Sequence, residues 1–456
     1  MNYKNQQKSN SSLIFFQNTK SSLKKKNQAK QLMQNSLFYQ EFVETLNNFV
    51  NVFNSQSKEN YCYALRQLYS IFKFEITYPN KQISDLEILQ LLIYIIRTYD
   101  NDEIIELSLK IIHKLTKEYG FCNDFFDLRL FDILFAMMKN KNSKYFTTII
   151  SILTNFIIHQ EYFDLFPQDI IMNILEVLYF SEMSTIWVYP LRFFEYYTSN
   201  EKINSESASF ILQGLGYIVS FKDNLEENGN NFDQIEHILS NLIELKSINI
   251  EQFKQLGFEN YILYRLKRKI KSKFLYLLIG NLIFNYGNEY QSLFPIKFGD
   301  ILPLLDLRNE NLSFAYWLLY QMIVSKQNII QNLNFKKIVK IIIKTINDTD
   351  FNTKRYSILL LALIYIKLPL DSFYFNYINE VISIFYQGLL IGVDFEIVHE
   401  ISLALVVVKK YHESYNAEIE NDEFWKSVDE IKKLYMSNTD LDITTFLNVF
   451  PINKPG

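Results

Sequence analysis

Asn281 and Asn285 stand one helical turn apart in the apolar stretch YLLIGNLIFNYG, residues 276–287. A spacing of four puts both side chains on one face of a helix. A carboxamide donates to a carbonyl and accepts from an N–H, which is the chemistry needed to hold an extended peptide backbone. Asn241 lies forty positions upstream of Asn281, Gln321 lies forty downstream, and Asn155 in SILTNFIIHQ has similar surroundings. Trp317, beside Tyr316 and Tyr320, is suited to seat the stem of a lysine or arginine. Two readings of the amides stand together. They line a binding groove, or they cap and link neighbouring helices, because an unpaired buried amide costs on the order of 1–3 kcal/mol.

Other chemistries find no constellation. His113, His159, His237, His399 and His412 are scattered, and none falls in an HExxH or Cys/His metal pattern. No glycine-rich phosphate loop, nucleophile elbow or kinase motif set is present in the sequence. The expectation is a protein that is not an enzyme and carries no cofactor or metal. The densest basic run, YRLKRKIKSK at 264–273, reads as a positive helical face for phosphates or an acidic partner.

The elements that must position these residues are helices. Gly and Pro number only 11 and 8 in 456 residues, too few for the turns of a sandwich, barrel or doubly wound sheet. Breaks recur at YDNDE, KNKNSK, SEMS, NLEENGNN, DLRNEN, NDTDFN and GVDFE, at intervals scattered around forty residues. Apolar helices with i, i+3, i+4 spacing lie on either side of them. A helical period of roughly 40–47 residues marks a solenoid of armadillo or HEAT type. The expected fold is therefore all-α, a right-handed α-solenoid superhelix.

The chain reads as three parts: a basic N-terminal arm at 1–40, about eight or nine repeats at 41–435, and a C-terminal tail at 436–456. The arm holds seven lysines, among them Lys24, Lys25, Lys26 and Lys30, and no acid. Because the whole chain has a net charge of -4, the arm's +7 leaves -11 on the rest. An acidic body argues against a nucleic-acid groove and for a basic partner. Two cysteines suit a reducing compartment, and the longest apolar run, 358–366, is far too short to span a membrane. Trp187 is expected in the core, in a helix broken by Pro190, and Trp425 near the last unit.

The stretch FGDILPLLDLRNENLSFAYWLLYQMIVSKQNIIQNLNF, 298–335, resembles one armadillo repeat: second helix, turn, long third helix. LRLFDILFAMMKNKNSKYFTTIISILTNFI, 128–157, resembles another. Within the armadillo proteins the importin-α family is the most similar, having a basic N-terminal arm on an acidic array. That resemblance implies third helices lining a groove that takes lysine-rich peptides, with Trp and Asn four residues apart. Here no complete Trp-x-x-x-Asn pair occurs: Gln321 follows Trp317, and Leu277 precedes Asn281. The resemblance implies a protein-binding adaptor for nuclear import, working in cytoplasm and nucleus, with cargo peptides and a transport receptor as partners. The alternatives are a structural armadillo scaffold without a transport role and a regulatory subunit.

Overall fold

The computed structural model describes residues 37–55, 58–73, 80–139, 144–180, 184–220, 229–268, 272–293, 305, 310–325, 335–367, 377–390, 394–414, 421–437 and 443–451. Among them there are 22 α-helices and no strand, so the chain is an α-solenoid. It divides into two compact units, residues 1–200 and 201–456. Residues 1–36 of the basic arm, Lys24, Lys25, Lys26 and Lys30 included, lie outside the described residues, and its last four residues belong to the first helix.

The first unit runs α1 (Leu37–Asn54), α2 (Lys58–Phe72), α3 (Asn80–Asp85), α4 (Ile88–Thr98), α5 (Asp102–Leu115), α6 (Tyr119–Asp127), α7 (Leu130–Lys139), α8 (Phe146–Ile157), a 3-10 turn (Gln160–Leu165), α9 (Gln168–Phe180) and α10 (Ser184–Tyr197). The pattern is a short element, a middle helix, then a third helix. Third helices stack on one another: α2 on α5, α5 on α8, α8 on α10. Local sequence explains α5 well. The Asn101 side chain caps it by accepting from the N–H groups of Glu103 (3.0 Å) and Ile104 (3.2 Å). Asp102 and Glu103 favour the positive helix start. Ile104, Ile105, Ser108, Leu109, Ile111, Ile112 and Leu115 form its buried stripe.

The second unit runs α11 (Ser205–Ser220), α12 (Gly229–Glu244), α13 (Ile250–Gln255), α14 (Phe258–Lys267), α15 (Lys273–Leu293), α16 (Leu312–Ser325), α17 (Phe335–Thr345), α18 (Phe351–Lys367), α19 (Ile378–Leu390), α20 (Phe395–Ser414), α21 (Asp422–Ser437) and α22 (Thr444–Val449). Its third helices stack in the order α12, α15, α16, α18, α20. The third helix expected at LSFAYWLLYQMIVS is α16. Most of the helix expected at GDILPLLDL lies outside the described residues. Part of the segment read as a tail is folded: α22 packs on α20, with Phe446 buried.

The corner between first and second helix needs a left-handed residue. Glu87 (φ 52°) sits there between α3 and α4, Arg129 (φ 56°) between α6 and α7, and Gly257 (φ 81°) between α13 and α14. Glycine takes this conformation freely, whereas a residue with a Cβ loses roughly 1–2 kcal/mol.

Pro190 corrects one expectation. It does not break its helix, because α10 continues through it. An interior proline costs about 3 kcal/mol or more. Trp187, Leu191, Phe193 and Phe194 are buried on the same helix and offset that loss.

Candidate functional site

Three of the amides singled out in the sequence, Asn155, Asn281 and Asn285, join one repeat to the next. Asn155 Nδ2 donates to the His113 carbonyl (3.0 Å) and Thr116 Oγ1 (2.9 Å), from α8 to α5. Asn281 Nδ2 donates to Ser240 Oγ (3.0 Å) and Asn285 Nδ2 to the Ile243 carbonyl (3.0 Å), from α15 to α12. Asn281 is only 5% exposed and Gln321 is 9% exposed; Asn241 is half-buried. Many other ties keep the same interval. Arg66 reaches Glu103 across 37 positions, Tyr145 reaches Asp102 across 43, and Ser272 reaches Asp233 across 39. The repeat period is thus written in hydrogen bonds as well as in helix breaks.

Trp317 is a packing residue. It is 7% exposed, and its ring rests on Gly280, where any Cβ would collide with Cζ3 and Cη2. Tyr316 and Tyr320 are buried with it, so the three rings form no open platform for a lysine stem. α15 and α16 expose large apolar side chains at Phe284 and Val324, forty positions apart.

The basic run at 264–273 is likewise not one solvated face. Arg265 is 4% exposed, with Nε 2.7 Å from Glu236 Oε1 and its guanidinium 4.4 Å from the centre of the Phe232 ring. Ser272 Oγ lies 2.6 Å from Glu236 Oε2 and 2.8 Å from Asp233 Oδ1 and donates its one proton to either carboxyl, and Tyr261 OH reaches Glu236 (3.3 Å). Burial pushes the Glu236 carboxyl above its usual range, and Arg265 pulls the other way. The sequence signal for this network was the 36-position interval from Glu236 to Ser272, hidden by the surrounding lysines. Lys269 and Lys271 lie outside the described residues.

An open strip of third-helix surface does exist, in the first unit. On α5 it comprises Asp102, Glu103, Glu106, Leu107, Lys110, His113 and Lys114, all half-buried or exposed. On α8 it comprises Thr147, Thr148, Ser151 and Asn155. On α10 it comprises Tyr189, Arg192, Glu195 and Tyr196. Exposed polar positions three and four apart leave one face of each helix free while the other packs. Asn155 Oδ1 takes no hydrogen bond among the described residues, so this amide has an acceptor left for a ligand N–H. His113 is held neutral, its pKa depressed to about 4, by burial first and then by Lys117, Lys114 and Arg192. Burial raises Cys122, which donates to the Thr116 carbonyl, to about 12, so this thiol is no nucleophile at neutral pH. Among the described residues no group of three or more His, Cys, Asp or Glu is placed to hold a metal, and no helix is long and apolar enough to cross a membrane.

No protein-family model and no curated protein sequence matches the chain. Solved structures do. An engineered protein determined by a structural genomics consortium superposes with a TM-score of 0.66 at 14% identity, over 89% of this chain and 98% of that one. A chain from work on the phosphorylation-controlled interaction between cadherin and beta-catenin superposes with a TM-score of 0.50 at 11% identity, over 84% of this chain and 80% of that one. At these identities the likeness is one of fold, and the fold is an armadillo-like solenoid.

Proposed function

We propose that the chain is a non-enzymatic, armadillo-like protein-binding scaffold whose ligand face is the open strip of α5, α8 and α10. The observation that carries this is the strip itself: three stacked third helices each keep a polar face uncovered, with the Asn155 acceptor at its centre. Stacked helices lie about 8–10 Å apart, so an extended peptide advancing about 3.3 Å per residue meets a new helix roughly every third residue. Tyr189 and Tyr196 flank Arg192 by one helical turn on either side and supply aromatic surface for such a chain. The test is binding of a peptide library to the full chain, with Ser151→Ala plus Arg192→Ala as the variant. Loss of binding with an unchanged melting temperature supports the reading, and binding unaffected by the double change places the ligand elsewhere.

A finer reading makes the scaffold a nuclear-import adaptor that shuttles between cytoplasm and nucleus, meeting a transport receptor through Lys24, Lys25, Lys26 and Lys30. Its support is the concentration of seven lysines without an acid in residues 1–40, against a remainder of -11. Pull-downs with and without residues 1–40, over a salt series, test it. Capture of a receptor that needs the arm and fades with salt is the expected result, because exposed charges are screened. Capture that ignores both the arm and the salt leaves the scaffold without a transport role.

A further inference from the structure

Helix α17, FKKIVKIIIKT, carries four lysines and no acid, a combination found in no other described helix. It lies in a longer stretch, residues 311–347, that holds no Asp or Glu at all, in a chain with 50 of them. Ile338, Val339 and Ile342 are buried and fix α17 to α18 and α19, whereas Lys336, Lys337, Lys340 and Lys344 are all exposed. At 3.6 residues per turn the four lysines fall within an arc of about 100° and cover about 12 Å of helix axis. Half-buried Ile343 and Ile341 border this arc on its two sides. Lys340 Nζ also stands 5.8 Å from the centre of the Tyr377 ring, next to the start of α19. Like charges four apart weaken a helix. The stripe therefore costs α17 stability that interspersed acids would have spared it.

We propose that this stripe docks an extended acidic peptide of a partner protein, with carboxylates on every second residue. Lys336, Lys340 and Lys344 follow one another by about 6 Å of helix axis, and residues on one side of an extended chain by about 6.6 Å. Three carboxylates at i, i+2 and i+4 thus meet three ammonium groups in register, with Lys337 beside the first. A short segment presents that spacing without folding, whereas a helix of the same length is marginal in water. Duplex nucleic acid and an anionic bilayer fit less well. Each extends far past a 12 Å stripe, roughly one Debye length, and would bring its phosphates against a body of net charge -11. The apolar side of α17 is packed into the array, so the helix cannot lie in a bilayer interface. This site is separate from the open strip of α5, α8 and α10.

Fluorescence anisotropy of a labelled Glu-Ala-Glu-Ala-Glu-Ala peptide with the full chain at low salt tests the proposal. Lys340→Glu with Lys344→Glu is expected to weaken binding at least tenfold. Ser151→Ala with Arg192→Ala, changed on the open strip, is expected to leave it as in the native chain. A peptide of the same composition with its three glutamates in one block should bind several-fold more weakly, and binding should fade as salt is raised. Melting temperatures are measured alongside. If the glutamate pair melts early, Lys340→Gln with Lys344→Gln replaces it and should still lose affinity several-fold. Absent binding, equal binding of the two peptides, or native affinity in the lysine variants overturns the proposal. So does tighter binding of a duplex DNA oligomer or of phosphatidylserine vesicles that depends on Lys340 and Lys344 in the same way.

Discussion

Helices α5 and α18 occupy the same place in their repeats and treat water in opposite ways. In α5, polar residues recur every three or four positions, and a stripe of Ile and Leu packs behind them. In α18, SILLLALIY is buried without interruption. A helix that is apolar all round has to be covered all round. The comparison shows that a stack of third helices is not by itself a groove. The face is open where the polar period survives and closed where it is lost.

The largest effect that can break this contrast is expected at Glu236. Changing it to Ala leaves Arg265 buried without its partner and should cost about 3–5 kcal/mol, read as a shifted denaturation midpoint and as fast hydrogen exchange confined at first to residues 229–293. Gly280→Ala comes next, because the new methyl meets the Trp317 ring, and a loss of about 1–3 kcal/mol is expected by the same measurement. A loss under about 0.5 kcal/mol would mean that Trp317 has room to move and that the closed packing is looser than its burial implies.

The open unit has its own signature in pH. His113 binds its proton more readily unfolded, near 6.5, than folded, near 4. Stability from this group is complete above pH 6.5 and is lost as pH falls from there toward 4. The loss is on the order of 1–3 kcal/mol, and His113→Gln should remove that part of the pH dependence. Asn281→Ala leaves Ser240 without its bond and should cost about 1–2 kcal/mol, more than Ser151→Ala on the open strip. The smallest change sharpens the repeat itself. Glu87→Gly and Arg129→Gly place glycine at left-handed corners and are each expected to stabilise by roughly 0.5 kcal/mol, seen as a small rise in melting temperature.

The architecture was legible because periodicity and breaks are local signals. LSFAYWLLYQMIVS is one helix from end to end, and YDNDE holds the Asn101 cap between α4 and α5. The forty-residue phase of Asn241, Asn281 and Gln321 was legible too, but its meaning was not. An amide at a repeating position has the same sequence whether it faces a ligand or the carbonyl of the preceding repeat. Neighbouring bulk decides between them: Gly280 lets Trp317 close over α15, and that contact is non-local. Arg265 was hidden for a related reason, since four nearby lysines and another arginine suggest a solvated face while its one buried partner lies 29 positions upstream. Pro190 shows the limit of a local rule where the rest of the helix is deeply packed.

The interval carried by the inter-repeat bonds, such as 42 positions from Asn155 to His113 and 41 from Asn281 to Ser240, has a consequence during synthesis. A ribosome adds about 5–20 residues per second, so a new repeat emerges roughly every 2–8 seconds. Each arrival finds its predecessor already outside the exit tunnel and able to receive it. Docking a helix pair takes far less time than making one. The nascent chain therefore carries about one unmatched apolar face at any moment, and the completed protein inherits its register from the order in which it was made.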